Sequence, residues 1–188
     1  TPEPCIVGST TRQDFPIGAQ TGIFTVIFDV TPSGTGLTAA EVMLTNIAGS
    51  PLRAGVRFGN TGITTIRDAF SYGNAMPYSA GVTYRIRYVV DLNTDTYTTY
   101  VQPEGQAEVT HSSNLALTGA ESSLSNLQVQ QGSISNGTIT VCNIDIYTGV
   151  STPTPTQIPA TPTPTRTLTP LPTNTPTPTA GGSSPTPT

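Results

Sequence analysis

The last 38 residues, Ser151–Thr188, place the strictest limit on what this chain can fold into. They contain 11 proline and 14 threonine residues, and Arg166 is their only charged side chain. Such a segment lacks the apolar surface needed to offset the entropy lost on ordering it, so it cannot form a core. We therefore predict one folded domain, residues 1–150, followed by an extended Thr/Pro-rich linker or stalk, residues 151–188.

The predicted stalk has proline at every second or third position, which favours polyproline II, an extended helix without internal hydrogen bonds. Threonine hydroxyls between prolines are typical acceptors for O-glycosylation in mucin-like stalks. The candidate attachment sites lie in the densest Pro alternation and are Thr154, Thr156, Thr163, Thr165, Thr175 and Thr177. An unmodified inter-domain linker is the alternative.

The two ends of the chain share one Pro/Thr rhythm, since it begins with "TPEPC" and ends with "SSPTPT". Joined head to tail, they would form an unbroken stalk between two copies of the domain. We therefore expect one unit of a longer series, in which domain and stalk alternate. Its partners would be copies of itself in a filament or tandem array, and glycans are further candidate partners.

Charge and hydropathy exclude two classes of partner. The chain has no lysine, seven arginines and a net charge of −4. Nucleic-acid binding relies on basic patches that displace counterions, so we predict no nucleic-acid partner. No stretch approaches 18 consecutive apolar residues, so we predict no membrane insertion.

Two cysteines, Cys5 and Cys142, bracket almost the whole predicted domain. This placement predicts a disulfide that joins the first strand to the last, whereas two unrelated buried thiols are the alternative. Disulfides persist in oxidising compartments, so we predict an extracellular or cell-surface location. In the chain-entropy account, closing so long a loop stabilises the fold by about 4–5 kcal/mol.

Most of the predicted domain has the pattern of β-strands, rich in β-branched and aromatic residues and separated by Gly, Pro, Asn and Ser clusters. Only residues 115–125 allow a short helical turn. Many short antiparallel strands predict an all-β antiparallel sandwich. An immunoglobulin-type sandwich is expected to contain a Trp, and the chain has none. A jelly roll, whose terminal strands can lie side by side, fits the cysteine positions better. The predicted strands are residues 22–30, 40–47, 52–58, 62–68, 82–92, 95–102, 126–131 and 138–147.

The segment "YSAGVTYRIRYVVDLNTDTYTTYVQPEG" (Tyr78–Gly105) resembles the central hairpin of concanavalin A-like (laminin-G-like) jelly rolls, which are often appended to secreted bacterial carbohydrate-active enzymes. The preceding "VRFGNTGITTIRDAFSY" (Val56–Tyr72) is similar to the strand pair before that hairpin. The resemblance implies a jelly-roll fold and an extracellular context. It implies no activity, because this fold hosts lectins, hydrolases and spacers.

The sequence predicts no catalytic residues. Glucanases of the resembled fold cluster carboxylates along one strand, whereas Glu104 and Glu108 fall in a predicted solvated loop. His111, the only histidine, lies beside two serines in a predicted surface turn, without the oriented acid that a hydrolytic triad needs. We therefore predict no enzyme activity and no certain cofactor.

A carbohydrate site would combine aromatic faces with hydrogen-bonding groups on one concave surface. The candidates are two tyrosines that flank a Gly/Asn/Pro loop and two strand arginines, namely Tyr72, Tyr78, Arg57 and Arg87. In the alternative interpretation, arginines paired with Asp68 and Asp91, together with tyrosine hydroxyls, hold the sheet together.

Structural calcium is a further candidate, because it is common in relatives of the resembled fold and is bound by aspartate carboxylates. Asp14, Asp29 and Asp145 would converge if the terminal strands pair. The sequence lacks an Asp-x-Asp pattern that would strengthen this prediction.

Two functions fit these observations. The first is a non-catalytic extracellular structural module, a β-sandwich with an O-glycosylated stalk, that builds a surface filament. The alternative is a carbohydrate-binding accessory module of a secreted polysaccharide-active enzyme. A filament unit predicts a stalk packed against neighbouring copies, whereas an accessory module predicts an open groove lined by aromatic residues.

Overall fold

The computed structural model describes residues 5–46, 53–67, 71–132 and 136–148, with only the backbone at positions 67, 71 and 72. Residues 151–188 lie outside the described part, and with them all the threonines predicted to carry glycans. The domain boundary at residue 150 and the stalk therefore stay predictions.

The described residues contain strands and no helix. The strands form two antiparallel six-stranded sheets, sheet A in the order β1-β12-β3-β8-β9-β10 and sheet B in the order β2-β11-β4-β5-β6-β7. Their bounds are β1 (Ile6–Val7), β2 (Gln13–Gln20), β3 (Ile23–Pro32), β4 (Ala40–Thr45), β5 (Ala54–Gly59), β6 (Gly62–Arg67), β7 (Ser71–Tyr72), β8 (Tyr84–Asp91), β9 (Thr96–Pro103), β10 (Val109–Ala116), β11 (Leu124–Gln130) and β12 (Ile139–Thr148).

The core lies between the two sheets and follows from the alternation along each strand. In β8, one alternating set of side chains joins the core, while the other set, which includes Arg85 and Arg87, points outward. The fully buried Tyr88 meets Phe28 edge-on at 5.3 Å, and its hydroxyl donates to the Val42 carbonyl oxygen at 2.8 Å. Since Val42 belongs to sheet B, this bond links the sheets across the core.

The terminal strands pair as predicted. Ile6 of β1 lies opposite Val141 of β12, and Cys5 is bonded to Cys142 with a Cα–Cα distance of 4.4 Å. The predicted disulfide is confirmed, and so is the all-β antiparallel sandwich. Across the described ranges, no helix is long and apolar enough to cross a membrane.

Four strands were not predicted, and their positions explain why. β1 and β7 are two residues long, while β2 contains Pro16 and Gly18 and β10 is mostly polar. Both β2 and β10 are sheet edges, where proline and polar residues are tolerated because one side of the backbone has no strand to pair with.

The prediction that residues 115–125 allow a short helical turn is wrong. β10 continues to Ala116, and no described residue after it within this segment is helical.

Candidate functional site

The two candidate arginines lie on opposite outer faces of the sandwich. Arg57 stands in β5 of sheet B between two core residues, and Arg87 stands in the same way in β8 of sheet A. The prediction that they share one concave surface is wrong, because β5 belongs to sheet B and β8 belongs to sheet A.

Arg87 is enclosed by its own sheet. Its Nε donates to Glu108 Oε2 at 3.0 Å, its Nη2 pairs with Glu108 Oε1, and its guanidinium carbon lies 3.7 Å from the centre of the Tyr100 ring. Only 6% of its side chain is exposed. Glu108 is therefore an ion-pair partner rather than the solvated loop residue predicted from sequence, and Arg87 stabilises the sheet.

Arg57 forms an ion pair with a residue of the neighbouring strand, but part of its side chain remains accessible to solvent. Its Nε and Nη2 both reach Glu41 Oε1, at 2.7 and 2.6 Å, and Glu41 lies directly opposite Arg57 in the β4–β5 pairing. The Glu41 side chain is 8% exposed and that of Arg57 is 28% exposed. The carboxylate thus orients the guanidinium, while part of the arginine side chain faces solvent.

Two adjoining clefts, which we call the turn clefts, meet at Asn60 and Thr61 of the β5–β6 turn. The first has a volume of about 210 Å³ and the second about 280 Å³. Besides the two turn residues, the first is lined by Leu37, Thr38, Ala39, Arg57, Gly59 and Thr64. The second is lined by Thr35, Gly62, Pro77 and Tyr78. The structure therefore brings Arg57 and Tyr78, two of the candidate residues, to neighbouring clefts.

Gly62 allows the wall of the second turn cleft to form. Its φ is +134°, and a Cβ at this position would lie 2.5 Å from the Met76 carbonyl oxygen. Only glycine tolerates both conditions. The close approach lets Ile63 and Met76 exchange backbone hydrogen bonds of 2.7 and 2.8 Å, which places Pro77 and Tyr78 beside the turn.

Tyr78 is a packed wall of this cleft rather than an open stacking platform. Its ring meets Phe58 edge-on at 5.3 Å and Tyr84 edge-on at 6.5 Å, and its hydroxyl donates to the Thr35 carbonyl oxygen at 3.3 Å. Burial raises the pKa of the phenol above its ordinary value, so the hydroxyl stays neutral. For Tyr72 the backbone pairs with Ile66, and its side chain lies outside the described residues.

The three aspartates proposed to bind calcium do not converge. Asp14 is on β2 of sheet B and accepts a 2.7 Å hydrogen bond from Gln128 Nε2. Asp29 is on β3 of sheet A, paired with Arg85 at 3.0 Å, and Asp145 is exposed on the adjacent β12. The terminal strands do pair, but β2 joins the other sheet. Across the described ranges, no group of three His, Cys, Asp or Glu residues could hold a metal ion.

His111 lies in β10 rather than in a surface turn. It is half-buried, and burial lowers the pKa of its imidazole. Its Nε2 atom is enclosed and has no hydrogen-bond partner in the described part of the protein. In a hydrolytic triad this nitrogen would bond the hydroxyl of the nucleophile, and no hydroxyl among the described residues does so here.

Glu41 and the Asn60–Thr61 turn were not predicted to belong to the site, and the arginines have other partners than the predicted ones. The partners are Glu41 for Arg57 and Glu108 for Arg87, whereas the predicted Asp91 accepts a bond from a turn amide. The other predicted partner, Asp68, lies outside the described residues. The outward position of Glu41 in "AEVMLT" and the turn signal in "FGNTG" were visible, but their proximity to Arg57 depends on strand pairing.

Neither a protein-family model nor a curated protein matches the sequence. Similar solved structures include the catalytic domain of a glycoside hydrolase family 131 protein from Coprinopsis cinerea, with 13% identity and a TM-score of 0.50. That match covers 74% of this chain and 60% of the fungal domain. A family 131 β-glucanase catalytic domain from Podospora anserina has 11% identity and a TM-score of 0.52, covering 79% and 72% of the two chains.

The lectin-like defense protein arcelin-5 from Phaseolus vulgaris is also similar, with 11% identity, a TM-score of 0.52 and coverage of 70% and 75%. At these identities the likeness concerns the fold, which is a concanavalin A-like β-sandwich. This chain spans 60% of the length of the Coprinopsis cinerea domain.

The comparison contradicts the predicted filament module. The three similar structures described above are two glycoside hydrolase catalytic domains and a lectin-like protein. Because both catalytic and lectin-like proteins have this fold, the choice between binding and cleavage depends on the site residues.

Proposed function

We propose that this domain is a carbohydrate-binding module and that the turn clefts bind a glycan. The observation that carries the proposal is the set of hydrogen-bonding side chains in two adjoining concave sites around Asn60 and Thr61, next to an arginine oriented by Glu41. Sugar hydroxyls both donate and accept hydrogen bonds, and threonine hydroxyls and the asparagine amide match both roles. The guanidinium supplies further donors in a preorganised geometry.

Binding without cleavage is favoured by the positions of the carboxylates. Neither turn cleft has an aspartate or glutamate among its described lining residues. Glycoside hydrolysis generally requires two carboxyl groups on either side of the scissile bond. Glu41, which lies beside the first cleft through its pairing with Arg57, is already engaged by that arginine.

The same proposal includes an extracellular setting. A disulfide between the terminal strands suits an oxidising compartment. The hairpin resembles domains of secreted bacterial carbohydrate-active enzymes, and the composition of residues 151–188 suits a linker to a further domain. The domain would then hold an associated polysaccharide-active enzyme near its substrate.

A glycan array followed by titration calorimetry tests the proposal on the full chain. β-Glucans are the first ligands to include, since one solved structure with this fold is a β-glucanase catalytic domain. Replacing both turn residues, Asn60→Ala with Thr61→Ala, should weaken binding about tenfold through lost hydrogen bonds. Asn93→Ala, in the exposed β8–β9 turn, is the matched control and should bind like the wild type.

Two results would contradict the proposal. Unchanged affinity in the Asn60→Ala/Thr61→Ala variant, with an unchanged melting temperature, would exclude the turn clefts as the site. Release of reducing sugar by the purified chain would exclude the non-catalytic role.

A further inference from the structure

A third cleft, which we call the edge cleft, lies between the outer strands of the two sheets and has a volume of about 540 Å³. One wall is the segment at Gly73 and Asn74, beside the outer strand of sheet B. The other wall is the outer strand of sheet A, with Thr110, His111, Ser112, Ser113 and Leu115 of β10.

Two bulges in β10 shape this wall. The register against β9 shifts between Thr110 and Ser112 and again between Ser112 and Leu115, and Asn114 has a φ of +51°. In a regular strand, successive side chains alternate between faces. Here every residue from 110 to 113 lines the cleft, as the irregular backbone at the two bulges allows.

The described residues of the lining are rich in hydrogen-bonding groups. The described lining residues include no aspartate, glutamate, lysine or arginine, and burial lowers the pKa of the His111 imidazole, which favours its neutral form. Ser112 is tied to Thr65 by a 3.1 Å bond between hydroxyls. Hydroxyl and amide groups beside the apolar Leu115 suit a ligand with hydroxyls around an apolar face, as a sugar ring has.

The edge cleft and the second turn cleft border the same segment of chain. The Gly73 amide donates to the Thr65 carbonyl oxygen at 3.1 Å, and Met76 pairs with Ile63. Residues 73–78 therefore run along β6, with Asn74 at the edge cleft and Tyr78 at the turn cleft. The two sites are separated by about three residues of β6, or roughly 10 Å.

We infer that the edge cleft is a second subsite, so that the domain binds an oligosaccharide extended along residues 73–78 rather than one terminal sugar. This inference rests on the proposed function of the turn clefts. It adds a requirement that the turn clefts alone do not impose, namely that affinity depends on the length of the glycan.

The test is calorimetry with cello-oligosaccharides and laminari-oligosaccharides of increasing length, using the full chain. The wild type should gain about tenfold in affinity from the disaccharide to the longest ligand, as one to two additional hydrogen bonds would produce. The edge variant Asn74→Ala/Ser113→Ala should lose that gain while binding the disaccharide like the wild type. The control Thr10→Ala/Asn93→Ala, at exposed positions that line none of the three clefts, should keep the gain.

The outcomes separate the two proposals. A length gain that survives in the edge variant, or no gain in the wild type, overturns the second subsite. If the turn variant Asn60→Ala/Thr61→Ala still loses binding in either case, the proposed function stands. If the turn variant binds every length like the wild type, the proposed function fails, and the second subsite fails with it. Melting temperatures within about 2 °C of the wild type establish that each variant is folded.

Discussion

Arg57 and Arg87 make the same kind of ion pair on the two outer faces of the sandwich, but their surroundings differ. Both pair with a glutamate, yet Arg87 also lies over a tyrosine ring and its side chain is 6% exposed, whereas that of Arg57 is 28% exposed and borders a cleft. An arginine–glutamate pair on a strand is therefore no sign of a binding site by itself. The accessible space beside the pair makes the difference.

The wall of the second turn cleft, which adjoins the cleft beside Arg57, gives the largest expected effect. Gly62→Ala should destabilise the fold by about 3–4 kcal/mol, because the new Cβ meets the Met76 carbonyl oxygen and the backbone conformation disfavours a side chain. Urea unfolding measures the change. Gly81→Ala also has a positive φ but has no atom within 4 Å of the added Cβ, so it should cost clearly less. Equal costs would show that the contact with Met76 is unimportant.

Removing the enclosed arginine gives the next effect. Arg87→Ala should lower the free energy of unfolding by about 3 kcal/mol, since it leaves Glu108 without its partner and removes the contact with Tyr100. Glycan affinity should stay at the wild-type value. If Arg87→Ala binds glycan more weakly while still folded, the outer face of sheet A takes part in binding, and the comparison between the two arginines fails.

Removing the accessible arginine should give the opposite pattern. Arg57→Ala should cost about 1–2 kcal/mol of stability, because solvent in the adjacent cleft can hydrate Glu41, and it should weaken glycan binding about tenfold. Arg57→Lys, which keeps the charge but loses the guanidinium fork, should restore stability more than affinity. Calorimetry and urea unfolding on the same samples check both parts. A lysine variant with full affinity would show that charge alone matters.

The smallest effect concerns pH. Burial lowers the pKa of His111 in the folded state, so between the folded and unfolded pKa values the unfolded chain binds more protons. Stability should therefore fall as the pH drops below about 6.5, the ordinary pKa of histidine. His111→Gln should flatten this part of the curve of unfolding free energy against pH, and an unchanged slope would assign the effect to other groups.

Strands with strong alternation were predictable because burial of one face requires an apolar residue at every second position, and this pattern is visible in the local sequence. The hairpin of β8 and β9 is the clearest case, since its aromatic and aliphatic residues mark the core face. Edge strands show a weaker pattern of apolar residues. β10 carries mostly polar residues and two bulges, so neither composition nor periodicity indicated a strand around His111.

Only part of the candidate site could be predicted, because the sequence does not show which sheet each strand joins. Arg57 and Tyr78 were selected for their chemistry, and the structure places them at neighbouring clefts. Arg87 was selected on the same grounds but belongs to the other sheet. Likewise Asp14 and Asp29 are separated although the terminal strands pair as predicted. Residue type indicates what a side chain can do, but the sheet to which its strand belongs determines what lies beside it.

By itself, the sequence determined the all-β class, the pairing of the terminal strands through Cys5 and Cys142, and the prediction that residues 151–188 form no core. These depend on local periodicity, on the compartment in which disulfides persist and on composition. Only the tertiary structure decided that Glu41 orients Arg57, that Glu108 and Tyr100 enclose Arg87, and that clefts open at one turn and one edge. These contacts join residues from different strands, and register and sheet assignment are set by the packing of the whole core.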